Sequence, residues 1–236
     1  MKYSFQSRVR FSEVDENADL TLTALINYLQ DCATFHGEAG RVGVYWIKEN
    51  RKSWVLASLR LHILEYPKFA EEIITSTWAT GFRSFLGYRD FTIERPDGTL
   101  LAAGKSDWVF LDQKTGDPCE VTQEQIEGYG IEPQLALEDV YGKRKVRLPK
   151  EGKYGNPFVI QESHLDTNHH VNNGQYMVMA QNYLPIGFHV RSLRAEYRKQ
   201  AFLGDEVRPF VSGKDGAYII ALLSRKNEPF FIGEFT

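Results

Sequence analysis

The sequence predicts an α+β protein made of two tandem copies of one unit, each an antiparallel sheet combined with a helix. Three observations carry this. One helical period is followed by a run of strand-like segments, not by alternating βαβ units. Pro96-Asp97-Gly98 joins two of those segments and is a strong hairpin signal. The chain then starts again: EVDENADLTLTALI (residues 13–26) lies over HLDTNHHVNNGQYM (164–177) without a gap. Asp15 matches Asp166 and Asn17 matches Asn168, an offset of 151 residues (166 − 15). Further on, FAEEI (69–73) resembles LGDEV (203–207), and SLR at 58–60 returns at 192–194, an offset of 134 (192 − 58). A repeat of this period means two copies of one structural unit.

Taken in order, residues 3–12 read as a strand and 13–19 as a polar turn. From Leu22 the apolar positions fall at Leu22, Leu25, Ile26, Leu29, Cys32, Ala33 and Phe35. That is a helical period, with Thr21 or Thr23 as cap and Gly37 or Gly40 as its end. Tyr45 and Trp46 follow in a short loop or helix, as core residues or as the lining of an apolar slot. Residues 54–66, 72–80, 84–95 and 100–111 read as strands. Residues 112–156 turn polar, with one short helix expected at 122–127, capped by Thr122 with Gln125 as capping-box partner. The basic run GKRKVRLPK (142–150) reads first as a solvated linker, and otherwise as a dock for an acidic partner. The expected plan is an N-terminal unit over 1–140, a basic connector over 141–156 and a C-terminal unit over 157–236.

Composition narrows the classes. A net charge of −3 over 236 residues argues against nucleic acid or an anionic membrane as partner. No apolar run approaches the roughly 18 residues of a membrane span. The opening MKYSFQSRVRF alternates polar and apolar residues and reads as a strand, not a leader, so a cytoplasmic location is expected. The two cysteines, Cys32 and Cys119, have no metal spacing and read as unpaired thiols; no metal or organic cofactor is implied. With 15 Phe, 12 Tyr and 4 Trp, the chain can build a wide core or an apolar tunnel.

The densest chemistry sits in LDTNHHVNN, residues 165–173. Asp166, Asn168 and His170 recur at every second position, which in an extended segment places all three on one face. Asn172 or Asn173 then suits a helix N-cap, and 174–183 suits a mostly buried helix. His170 is the candidate base, because imidazole titrates near neutrality. Asp166 is expected to orient it, to activate water or to attack as a nucleophile. Asn168 is expected to hold the carbonyl or the water. The N–H groups of the following helix would stabilise an oxyanion. Asp and Asn at such a place also serve simply to close a turn, as Asp15 and Asn17 are expected to do. His169 alternates away from His170 and reads as a structural or surface histidine; His164, His36, His62 and His189 read as structural. Only the second copy has histidines at this loop, so the first is expected to supply shape.

These residues resemble the acyl-acyl-carrier-protein thioesterase family, whose second half carries Asp-x-Asn-x-His-Val-Asn-Asn, here Asp166, Asn168, His170, Val171, Asn172 and Asn173. SWVLASLRLHILEYPKFAEEI and TWATGFRSFLGYRDFTI in the first half fit as well. The resemblance implies two tandem hot dog units, each a curled antiparallel sheet wrapped around a central helix. It also implies hydrolysis of fatty acyl-acyl-carrier-protein, with the carrier protein as partner and a monomer or homodimer as the assembly. Plant members continue Glu-Tyr-Arg-Arg-Glu-Cys; here the segment is EYRKQA, so Gln200 replaces the Glu and Ala201 the Cys. Ala201 offers no nucleophile, and Gln200 can orient a water or bind substrate but cannot act as a base. Two alternatives stay open: an acyl-CoA thioesterase of the same fold, and a non-catalytic acyl-binding protein.

Overall fold

The computed structural model describes residues 1–136, 145–166 and 169–236. The chain divides into two compact units, Met1–Val140 and Tyr141–Thr236.

The first unit runs β1 (Tyr3–Arg8), α1 (Leu22–Ala39), α2 (Val44–Asn50), β2 (Lys52–Ile63), β3 (Glu72–Arg83), β4 (Leu86–Glu94), β5 (Leu100–Asp112) and α3 (Gln123–Tyr129). Its strands pair antiparallel in the order β1-β3-β4-β5-β2. Helix α1 begins where Thr21 accepts the Ala24 N–H and ends at Gly40. Its apolar stripe, with Leu25, Ile26, Leu29 and Cys32 buried, packs on β3, and the Cys32 thiol donates to the Thr75 carbonyl at 3.4 Å. Gly40 is required by close approach, since a Cβ there would stand 2.3 Å from the Gly128 carbonyl oxygen. The hairpin between β4 and β5 turns through Gly98 at φ +88°, with Asp97 accepting the Thr99 N–H.

Thr122 caps α3 as expected, accepting the Gln125 N–H. The Gln125 side chain does not return to the cap. It is fully buried, accepting from the Trp54 indole at 2.9 Å and donating to the Val42 carbonyl. Tertiary partners outcompete the local capping box. Tyr45 points outward, 79% exposed, while Trp46 stacks on Phe110.

The second unit runs β6 (Lys153–Tyr154), β7 (Phe158–Val159), α4 (Asn173–Gln181), β8 (Ser192–Tyr197), β9 (Glu206–Lys214), β10 (Ala217–Leu223) and β11 (Pro229–Phe235). Read from β7, its order is β7-β9-β10-β11-β8, the order of the first unit again; β6 adds to the same edge of β9. The register repeats too: Ser7 faces Ile73 in the first unit, and Phe158 faces Val207 in the second. In the basic stretch, residues 142–144 lie outside the described residues. Beyond them, Val146 is buried against Phe210, Ala221, Leu223 and Ile232, and its N–H donates to Glu196. Lys145, Arg147 and Lys150 stay exposed.

Among the described residues, Cys32 and Cys119 are free thiols, no helix is long and apolar enough to cross a membrane, and no group of side chains has metal-ligand geometry.

Candidate active site

The loop before α4 is a tight turn, not the extended segment that alternation predicts. The Asp166 N–H donates to the His170 carbonyl at 2.8 Å, and the His169 N–H to the Asp166 carbonyl at 3.0 Å. His169 takes a left-handed φ of +60°, which reverses the chain, and a bridge between Leu165 and Val171 closes the base. Asp166 and His170 are brought together by this reversal, not by pleat alternation. Asn168, the third expected member, lies outside the described residues.

The Asp166 carboxylate does not reach the imidazole through these bonds. Its Oδ1 accepts the His170 backbone N–H at 3.3 Å, so it fixes the residue that carries the ring. The His170 ring is half-buried and meets Phe202 edge to face, with centroids 5.0 Å apart. Neither ring nitrogen has a hydrogen-bond partner among the described residues.

The start of α4 holds fewer free donors than the sequence suggests. Asn172 caps the helix: its Oδ1 accepts the Gly174 N–H at 2.8 Å and its carbonyl the Gln175 N–H at 2.9 Å. The Asn173 N–H alone of these three has no acceptor among the described residues.

The segment after β8 braces the loop through backbone. Ala201 is fully buried; its carbonyl accepts the Val171 N–H at 3.1 Å, and its N–H donates to the Tyr176 hydroxyl at 3.1 Å. A small side chain fits this place. Gln200 is half-buried beside it, with no side-chain hydrogen bond among the described residues. Burial pushes the Tyr176 phenol up to about 12, so it stays a neutral acceptor. Sequence reasoning read Tyr176 only as helix core and gave Phe202 no role. The helical position of Tyr176 signals burial but not the hydroxyl's partner, and the contact of Phe202 with His170 spans 32 residues (202 − 170).

The first unit holds the same loop almost bond for bond. There the Asp15 N–H donates to the Asp19 carbonyl at 2.8 Å, the Ala18 N–H to the Asp15 carbonyl at 3.0 Å, and Asp15 Oδ1 accepts the Asp19 N–H at 3.0 Å. Ala18 takes φ +61°, and Val14 bridges Leu20. The bracing segment repeats as well: the Leu20 N–H donates to the Pro67 carbonyl, and Lys68 and Phe202 each accept the N–H three residues on, at 3.1 Å. His170 thus stands where the first unit has Asp19, and Phe202 where it has Lys68.

The first unit also contains an open cleft, lined by Ala33 and Gly37 of α1, Val44 and Ile47 of α2, and Trp54, Phe82, Trp108 and Tyr129. The α2 residues facing it are Val44 and Ile47, not Tyr45 and Trp46. Arg89 lines the same cleft.

Residues 1–129 match the model of the acyl-ACP thioesterase N-terminal domain. No curated protein matches the chain. Among solved structures, the chain is similar to the acyl-ACP thioesterase from Bacteroides thetaiotaomicron, with 22% identity, 99% of this chain and 96% of that one covered, and a TM-score of 0.88. It is similar to the putative oleoyl thioesterase from Lactobacillus plantarum at 20% identity, covering 100% and 95%, with a TM-score of 0.88. It is similar to the 12:0-ACP thioesterase from Umbellularia californica at 18% identity, covering 99% and 96%, with a TM-score of 0.89. At these identities the likeness is one of fold, and it bears out the expected tandem hot dog units.

Proposed function

The chain belongs to the acyl-ACP thioesterase family and hydrolyses the thioester of fatty acyl-ACP, and we propose that the second unit carries the chemistry, with His170 as general base. In this reading a ring nitrogen of His170 takes a proton from water as the water oxygen attacks the thioester carbonyl carbon. The C–S bond then breaks, and the proton passes to the leaving thiolate, giving free fatty acid and carrier thiol. The Asn173 N–H, at the positive end of α4, is the donor offered to the developing oxyanion. Asp166 holds the backbone that carries His170. Asn168 and Gln200 complete the set as water- or carbonyl-orienting amides.

One observation carries this assignment. The bonds that close the loop at Asp15 recur at Asp166, and of the two loops the second carries an imidazole, whose ring nitrogens have no hydrogen-bond partner among the described residues. The corresponding Asp19 is held by Lys68. The first unit then supplies the cleft that seats the acyl chain. The exposed cations Lys145, Arg147 and Lys150 are the proposed contact for an acidic carrier, at residues whose backbone is anchored through Val146.

The test is thiol release from a panel of acyl-ACPs, short to long, with matched acyl-CoAs alongside, for the wild type and His170→Ala. The reading requires turnover of carrier-linked substrates that His170→Ala abolishes with folding kept. Preference for CoA would move the substrate assignment to the coenzyme-linked thioester. Binding without thiol release would favour the non-catalytic alternative, to which the Gln200 replacement points, and Gln200→Glu becomes the variant to assay.

A further inference from the structure

Two walls of the first unit's cleft are tied together by one amide. Trp54, on β2, lines that cleft, and so do Val44 and Ile47 of α2. Gln125, on α3, is fully buried. Its Oε1 accepts the Trp54 indole N–H at 2.9 Å, and its Nε2 donates to the Val42 carbonyl at 3.4 Å. An indole nitrogen only donates and a carbonyl only accepts, so the two partners fix which way the amide faces. Val42 is itself buried, its N–H on the Gly37 carbonyl, and it stands two residues before Val44. One side chain therefore links a cleft residue on β2 to the backbone that leads into α2.

The indole is held from other sides as well. Its ring centroid lies 4.7 Å from that of Phe110 and 5.9 Å from that of Phe82, and a Cβ on Gly87 would stand 2.9 Å from its Cζ3. The ring thus packs on bare backbone at Gly87, in one orientation. Burying an amide costs free energy unless its ends are bonded, and apolar groups of the same shape in place of a bonded pair can be nearly neutral. What a fully bonded amide adds is fixed geometry. Thr122 caps α3 without the Gln125 side chain, so local helix stability does not account for the residue.

We infer that Gln125 is a positioning residue for substrate selection: it holds Trp54 at a fixed spacing from α2 and so sharpens discrimination between acyl chains that differ by two carbons. This rests on the reading of that cleft as the seat of the acyl chain. A wall that cannot turn rejects the longer chain, whereas an indole released from its amide yields to it.

The experiment measures kcat/KM on acyl-ACPs lengthened in steps of two carbons, for the wild type and for Gln125→Met, which removes both bonds at similar volume. One methylene in a fixed apolar pocket is worth roughly tenfold or more, so the wild type should favour its best chain over the next longer one by at least that ratio. Gln125→Met should cut the ratio to a few-fold. A flat wild-type profile overturns the proposal. Equal loss at every length in Gln125→Met also overturns it, and marks the amide as a support of the fold alone. Trp54→Phe removes the indole N–H without touching the amide; a profile as sharp as that of the wild type overturns the proposal even if Gln125→Met does not fold. In the Trp54→Phe background, Gln125→Met should broaden the profile less than it does in the wild type, and equal broadening in both contradicts action through the indole. Ile47→Trp adds bulk to the cleft from α2 and tests the underlying reading separately. If it shifts the profile while Gln125→Met leaves the profile unmoved, the cleft seats the chain and the proposal alone fails. If neither variant moves the profile, the cleft is not the seat and both fail.

Discussion

The imidazole of His170 meets the ring of Phe202 edge to face, 5.0 Å apart, at the two positions where the first unit places Asp19 and Lys68 as an ion pair. The scaffold is duplicated and the pair upon it is exchanged. An ion pair ties up both groups, whereas an aromatic edge holds an imidazole in place and leaves its nitrogens free. Phe202 is 48% exposed, so its removal costs little in packing. Phe202→Ala is expected to lower kcat several-fold, in line with the about 0.5–1.5 kcal/mol of an aromatic pair, with thermal stability nearly unchanged. Steady-state kinetics beside a melting curve check this.

Asp166 and Asp15 close the same turn, so their loss should cost the same stability. Asp15→Ala and Asp166→Ala are each expected to destabilise by about 1–2 kcal/mol, from the lost hydrogen bonds to a charged acceptor. Only Asp166→Ala should depress hydrolysis. Denaturant unfolding and thiol release, run on the two variants together, separate the turn's structural role from its chemical one.

Tyr176→Phe removes the acceptor of the buried Ala201 N–H. Leaving that donor unpaired should cost about 1–3 kcal/mol. Since the Ala201 carbonyl also receives the Val171 N–H, the residue next to His170 loses its brace. A fall in kcat with KM little changed is the expected kinetic signature.

His36 gives a pH dependence with a defined sign. In the unfolded chain an imidazole protonates near pH 6.5. In the folded protein, burial and then the Arg89 guanidinium hold His36 neutral down to about 3. The unfolded state therefore binds the extra proton between these values. The contribution to stability is complete above about pH 6.5 and is lost as pH falls toward 3, by at most about 1.4 kcal/mol per pH unit. His36→Gln should flatten this part of the melting-temperature profile relative to wild type.

Much of the fold was legible because it rests on local signals. The stripe from Leu22 to Cys32, the caps Thr21 and Thr122, and the hairpin at Gly98 all act within a few residues of themselves. The duplicated loop was legible because Asp at its first position closes the same turn twice, at an offset the sequence keeps. What stayed hidden depends on distant partners. Gln125 turned inward because Trp54 offered an indole donor, and Tyr176 acts through Ala201, far along the chain. The alternation drawn through Asp166 and His170 failed because His169 adopts a left-handed conformation that a histidine's identity does not announce. Arg89 gave no signal at all in a stretch read only as a strand.

The most direct test rewrites the second loop as the first. The double variant His170→Asp with Phe202→Lys installs the Asp19–Lys68 pair on a scaffold that already accommodates it. The account predicts a protein that melts close to wild type and has lost thioester hydrolysis of acyl-ACP by about 100-fold to 10,000-fold, the range of a general base. Hydrolysis within a few-fold of wild type in the folded double variant would contradict the assignment of the chemistry to His170.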